Sequence, residues 1–249
     1  MSTLGIVMFV ARSLAGEFEG REGLRVIDVG SYSTFDGFRP LVDLHGGFSE
    51  YVGVDLKEGP GIDVVCEAER LIERFGEESF DLVIATELIE HVKDWRLVVS
   101  NLKRICTPGG IIIVTTRSHG YVFHPVPCDF WRFETDDMRR IFSDCSIRKL
   151  EDDYEFPGVW VKVRKPDDFA EVDLSDCMLY SIVADRRVKD VVDPSANRSR
   201  FLVLVAGSKL REFALWLSVY PKDDPIATVR RQVKNLVELL KAGLGLKSF

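Results

Sequence analysis

Short apolar runs alternate with amphipathic stretches along most of this chain. The runs Leu24–Val29, Tyr51–Asp55, Phe80–Thr86 and Gly110–Thr116 have no continuous polar face. That predicts strands buried on both sides, as in a parallel sheet covered by helices. Asp63–Cys66, Cys145–Tyr154, Gly158–Arg164 and Met178–Ala184 are further strand candidates. After Asp94, a residue suited to capping, the period changes: Trp95, Val98, Val99, Leu102, Ile105 and Cys106 fall on one helical face. Thr107-Pro108-Gly109-Gly110 should stop that helix, and a second is expected from Thr135 through Phe142, with Asp136 and Asp137 at its positive end. Leu4–Ala11 is apolar but short, and is expected to begin a helix packed on the sheet. The alternation predicts an α/β fold with helices on both faces of a mostly parallel sheet.

Residues 190–200 are polar and hold Pro194, Ser195 and Asn197, which predicts a linker or surface loop. Beyond them, Asp224-Pro225 opens an amphipathic helix with Ile226, Val229, Val233, Leu236, Val237 and Leu240 on one face. The expected division is a domain at 1–190 and a helical extension at 191–249, serving as a lid or as the contact of a homodimer.

Composition narrows the function. A net charge of −7 argues against broad nucleic-acid binding, which needs a basic face; Arg139-Arg140 and Arg186-Arg187-Val188-Lys189 read as solvated surface. No apolar run approaches the ~18 residues that span a bilayer, and Leu4–Ala11 has neither a basic leader nor a cleavage site. The five cysteines are scattered with no C-x-x-C pair, so no disulfide frame or zinc site is expected, no metal is assigned, and a reducing cytoplasm fits.

The candidate chemistry begins where the strands end. Asp28-Val29-Gly30 closes the first run, and Asp55 closes the next at about the interval of a βαβ unit. Gly30 would let a nucleoside approach the backbone, Asp28 is suited to hold an amino group, and Asp55 is suited to accept from a ribose diol. A turn without a ligand would read similarly at either place. The glycine fingerprint of a diphosphate loop is absent, because Gly30 is followed by Ser31-Tyr32-Ser33; this weighs against a nicotinamide-dependent oxidoreductase. After the fifth run comes a polar stretch from Thr115 to Phe133 containing His119, His124, Asp129 and Arg132. It should lie at the carboxyl end of the sheet, where ligands bind in such folds. His124, then His119, is a candidate base for a hydroxyl acceptor, with Asp129 in support. The same residues would equally brace a loop through an Asp129–Arg132 ion pair.

In this order, Asp28-x-Gly30, Asp55, Phe80-Asp81-Leu82-Val83, Glu90-His91-Val92 and Pro108-Gly109-Gly110 resemble a class I S-adenosylmethionine-dependent methyltransferase of the small-molecule, type 11-like branch. The resemblance covers roughly Arg25 to Phe142. It implies a Rossmann-like, doubly wound, seven-stranded sheet and S-adenosyl-L-methionine as cofactor. Asp28, Gly30, Ser31 and Tyr32 would line its methionine part, and Asp55 and Leu56 the ribose and adenine. Glu67 and Ala68 would meet the adenine amino group, and Thr86 and Glu87 the methionine end. The fourth strand is expected to run straight into a helix carrying Glu87, Glu90 and His91. The implied reaction is methyl transfer to a small or carbohydrate-like acceptor at oxygen; the alternative is a non-catalytic cofactor-binding or assembly subunit.

Overall fold

The computed structural model describes residues 3–32, 37–124, 128–192, 200 and 202–210. In chain order they form α1 (Leu4–Leu14), β1 (Leu24–Val29), α2 (Arg39–His45), β2 (Phe48–Asp55), β3 (Val64–Val65), a 3-10 turn (Ala68–Arg70), α3 (Leu71–Phe75), β4 (Phe80–Thr86) and α4 (Trp95–Ile105). There follow β5 (Cys106–Arg117), β6 (Trp131–Arg132), α5 (Thr135–Ile141), β7 (Ser146–Asp152), β8 (Gly158–Arg164), β9 (Leu179–Ser181) and β10 (Arg186–Val188). Residues 202–210 are helical. The helix expected after Asp224 lies outside the described residues, as do 193–199 of the expected linker.

Seven strands form one sheet in the order β3-β2-β1-β4-β5-β8-β7, and a small sheet has the order β10-β9-β6. Strands β1 to β5 are parallel to one another, while β8 is antiparallel to both β5 and β7. The order reverses between β1 and β4, so a crevice opens at their carboxyl ends. Period-two alternation sends side chains to two cores. Ile27, Val29, Val83, Ala85, Ile112 and Val114 face one, with Val98, Val99 and Leu102 of α4. Val26, Leu82, Ile84, Ile111 and Ile113 face the other, closed by Ile6, Phe9, Val10 and Leu14 of α1. Burial of each such side chain contributes about 1.5–3 kcal/mol before entropy is counted.

Three local expectations change. Thr107–Gly110 does not separate α4 from a strand but forms the irregular start of β5, where pairing jumps from Phe80↔Cys106 to Leu82↔Ile111. Glu87–Lys93 is a chain of turns, not the start of a helix; α4 begins only at Trp95, where the Asp94 carboxylate accepts from the Leu97 amide at 3.1 Å. Arg187, expected as solvated surface, donates to Asp137 at 3.2 Å and ties the small sheet to α5. Among the described residues no helix is long and apolar enough to cross a membrane.

Candidate active site

The carboxyl ends of β1 and β2 are knitted into one rim. Gly30, at φ +82°, turns the chain so that its amide and that of Ser31 donate to the Val54 carbonyl at 2.8 and 3.1 Å. The next amide, of Tyr32, donates to Asp55 Oδ2 at 3.3 Å, and the Leu56 amide donates to Asp55 Oδ1 at 2.7 Å. Each Asp55 oxygen therefore has one backbone donor and retains acceptor capacity. Tyr32 and Leu56 flank it as exposed side chains. Glu67 continues the rim, since the Cys66 amide donates to the Asp55 carbonyl at 2.9 Å; Asn101 fixes the buried Ala68 through its carbonyl at 3.0 Å.

Asp28 sits beneath this rim and is almost fully buried. Its Oδ2 accepts from the Tyr51 hydroxyl at 2.5 Å, and that hydroxyl in turn accepts from the Phe38 amide at 3.0 Å. Gly37, at φ +62°, passes so close that a Cβ there would lie 2.8 Å from Asp28 Oδ2 and 2.7 Å from Ser31 Oγ. Burial pushes the Asp28 carboxyl up to about 6, although the bonds from Tyr51, Ser31 and Phe38 oppose the shift.

A second group of residues forms a chamber beyond β4. Leu88 packs on Gly30, where a Cβ would lie 3.3 Å from Leu88 Cδ1, so chamber and rim share a wall. Thr86 ends β4 buried, and Glu87 follows with φ +53°, a left-handed conformation uncommon for a residue with a side chain. The end of β5 fixes the two glutamates: Thr115 donates to Glu87 Oε1 at 3.1 Å, Arg117 is ion-paired with Glu87 Oε2, and Thr116 donates to Glu90 Oε2 at 2.9 Å. Arg117 is buried, also paired with Asp153 at 2.9 Å, and lies over the Tyr121 ring. Burial pushes both glutamates up, helped at Glu87 by repulsion from Glu90 and at Glu90 by repulsion from Asp129.

The loop from Ser118 to Phe133 closes the chamber. The Glu90 carbonyl accepts from the Phe130 amide at 2.9 Å, which pins the loop to the turn after β4. Asp129 and Arg132 form a buried ion pair (2.8 Å), and the same carboxylate accepts from the His124 amide at 2.9 Å and lies 3.0 Å from His124 Nδ1. Burial alone would raise Asp129, but the bonds from Arg132 and His124 hold it down at about 2. His91 and His124 meet edge to face with ring centroids 4.7 Å apart. Burial lowers His91 to about 4, so its imidazole is neutral at physiological pH.

Residues 40–114 match the family model described as "Methyltransferase domain". Two fungal proteins are similar in sequence. The PKS-NRPS hybrid synthetase cheA of Chaetomium globosum is 32% identical over 127 residues, 42% of this chain and 3% of that protein. The hybrid PKS-NRPS synthetase poxE of Penicillium oxalicum is 26% identical over 165 residues, 57% of this chain and 4% of that protein. The chain thus corresponds to only 3–4% of their length. In fold, a Burkholderia thailandensis 1,6-didemethyltoxoflavin-N1-methyltransferase, solved with that compound and S-adenosylhomocysteine, superposes at a TM-score of 0.52 with 15% identity, over 66% of this chain and 80% of that one. Residues 40–114 are thus similar to a methyltransferase domain, and the sheet has the fold of an S-adenosylmethionine-dependent methyltransferase.

In this domain Asp28, Gly30, Ser31, Tyr32, Asp55 and Leu56 lie together at the β1–β2 rim, with Glu67 and Ala68 along it. Thr86 and Glu87 stand on the chamber side. His124 and Asp129 adjoin each other, whereas His119 is apart: its amide donates to Glu134 Oε1 at 2.8 Å and its ring packs on Tyr180. Sequence reasoning gave no role to Tyr51, placed Thr115, Thr116 and Arg117 only at the start of the acceptor-side stretch, and took Glu90 and His91 chiefly as part of a helix motif. The spacing Glu87-x-x-Glu90-His91 followed by two threonines and an arginine at a strand end was the available signal.

Proposed function

We propose that this methyltransferase domain is catalytic and moves a methyl group from S-adenosylmethionine to an oxygen of a small or carbohydrate-like acceptor. The observation that carries the reading is the Asp55 carboxylate, with spare acceptor capacity between Tyr32 and Leu56, set beside a separate polar chamber across the Gly30–Leu88 wall. Asp55 would take the ribose hydroxyls, Leu56 and Tyr32 the flat adenine and the cofactor's flank, and Glu67-Ala68 the adenine amino group. Asp28 would act largely through the loop it braces, and Thr86 and Glu87 would border the methionine end.

Methyl transfer is an in-line displacement at a sulfonium, so alignment supplies most of the catalysis. His124, partly exposed and oriented by Asp129, is the group we assign to bring the acceptor hydroxyl to the methyl carbon. His119 would serve the acceptor from the outer edge. Similarity to hybrid synthetases supports a small metabolite as acceptor, and net charge supports it over nucleic acid. Residues 191–249 are assigned as a lid or dimer contact of the 1–190 domain.

The test is a screen of hydroxylated small molecules scored by S-adenosylhomocysteine release. His124→Ala should lower turnover on any hit by about 100-fold or more with little change in S-adenosylhomocysteine affinity. Equal turnover in the variant would remove His124 from the reaction, and no release from any acceptor despite tight cofactor binding would favour a binding subunit.

A further inference from the structure

Three acceptor atoms converge in the chamber without a hydrogen between them. The Cys128 carbonyl can only accept, so the His91 Nδ1 beside it carries the proton and leaves Nε2 as a lone pair. His124 Nδ1 faces the Val122 carbonyl at 3.2 Å and Asp129 Oδ2 at 3.0 Å, both acceptors, so its Nε2 is also unprotonated in the neutral ring. These two Nε2 atoms point at Glu90 Oε1, 3.9 and 4.0 Å away. That oxygen is wholly buried and has no hydrogen-bond partner among the described residues, while its companion Oε2 is fixed by Thr116. An orphaned carboxylate oxygen enclosed with two imidazole lone pairs is costly unless a cation lies between them.

The spacing suits such an ion. All three donor atoms lie within 4.8 Å of one another, and bonds of about 2.0–2.2 Å to a common metal would place them about 3.3 Å apart. A shift of several tenths of an ångström in each side chain closes the set. The outer partners already have the arrangement that orients ligating histidines: a backbone carbonyl behind His91 and a carboxylate behind His124. Two imidazoles and one carboxylate suit first-row transition metals better than magnesium or calcium. Three protein ligands leave at least one position open, on the side of His124, which is the most exposed of the three at 28%.

We propose that Glu90, His91 and His124 bind a divalent first-row transition metal ion whose open position receives the acceptor oxygen. The second clause rests on the methyltransferase reading; the first does not. The cation would acidify the bound hydroxyl. Its proton leaves to solvent, its oxygen forms the bond to the methyl carbon, and the electron pair of the breaking C–S bond stays on sulfur, giving the methyl ether and S-adenosylhomocysteine.

The test uses the chelator-treated full chain titrated with Co²⁺, followed by visible absorption and calorimetry. One ion per chain with imidazole-type d–d bands is expected, with affinity at least tenfold weaker in both His124→Ala and Glu90→Gln. S-Adenosylhomocysteine titration of the same samples checks that the variants are folded and reports separately on the methyltransferase reading. Absence of a stoichiometric Co²⁺ site, or wild-type affinity in a folded His124→Ala variant, would overturn the proposal.

Discussion

At the scale of single residues, Asp28 shows how this fold uses a buried acid. Its carboxyl is enclosed by Tyr51, Ser31 and the turn through Gly37, and burial holds it near 6 instead of 3.8. A carboxyl raised on folding contributes its stability at low pH and loses it as pH climbs through the raised value, because the native state then holds the proton the unfolded chain has released. The advantage of the wild type over Asp28→Asn should therefore shrink by about 2 kcal/mol between pH 4 and pH 7. Denaturant unfolding at several pH values measures it; a difference that is flat or grows with pH would contradict the buried placement. Gly30 is the matching case for backbone. With φ +82°, and with Leu88 only 3.3 Å from where a methyl would stand, Gly30→Ala meets strain and a tight contact together. It should cost about 1 kcal/mol or more in stability and loosen cofactor binding, read by thermal unfolding with and without S-adenosylhomocysteine.

At the scale of elements, the strands were the most legible. Leu24–Val29, Phe80–Thr86 and Gly158–Arg164 have the same bounds in sequence and structure, because short, mainly apolar runs rich in branched residues suit a buried strand. Asp94 was legible for a similar reason, since a short acid before a helical period has one favourable use; Asp94→Ala should cost about 1 kcal/mol, measured by chemical denaturation. The turn at Glu87–Lys93 was not legible. Glu87, Leu88, Ile89 and Glu90 all suit a helix by propensity, but four long-range contacts hold them in turns: Thr115 and Arg117 take Glu87, Thr116 takes Glu90, and the Phe130 amide takes the Glu90 carbonyl. Nor could the sequence place β6, whose two residues carry no period and exist as a strand only because Trp131 and Arg132 pair with Ser181 and Tyr180. The site divides in the same way: strand-end acids could be read locally, whereas the meeting of His91 with His124 depends on a loop closed by the Asp129–Arg132 pair.

At the scale of the whole molecule, the sheet supplies the rim proposed for the cofactor and the loops after β4 and β5 supply the chamber. The helix at 202–210 reaches that chamber, because its buried Val205 clusters with Ile182 and Phe123, the residue before His124. Val205→Asp should therefore speed amide exchange across residues 121–124 while leaving β1 and β4 protected; unchanged exchange in that loop would separate the helix from the acceptor side. The central claim, that the β1–β2 rim holds an adenosyl cofactor, is tested most directly by calorimetric titration of S-adenosylhomocysteine into wild type and Asp55→Ala. One site per chain is predicted, weakened by about 1–3 kcal/mol in a variant that remains folded. Wild-type affinity in that variant, or binding of NAD in place of S-adenosylhomocysteine, would contradict it.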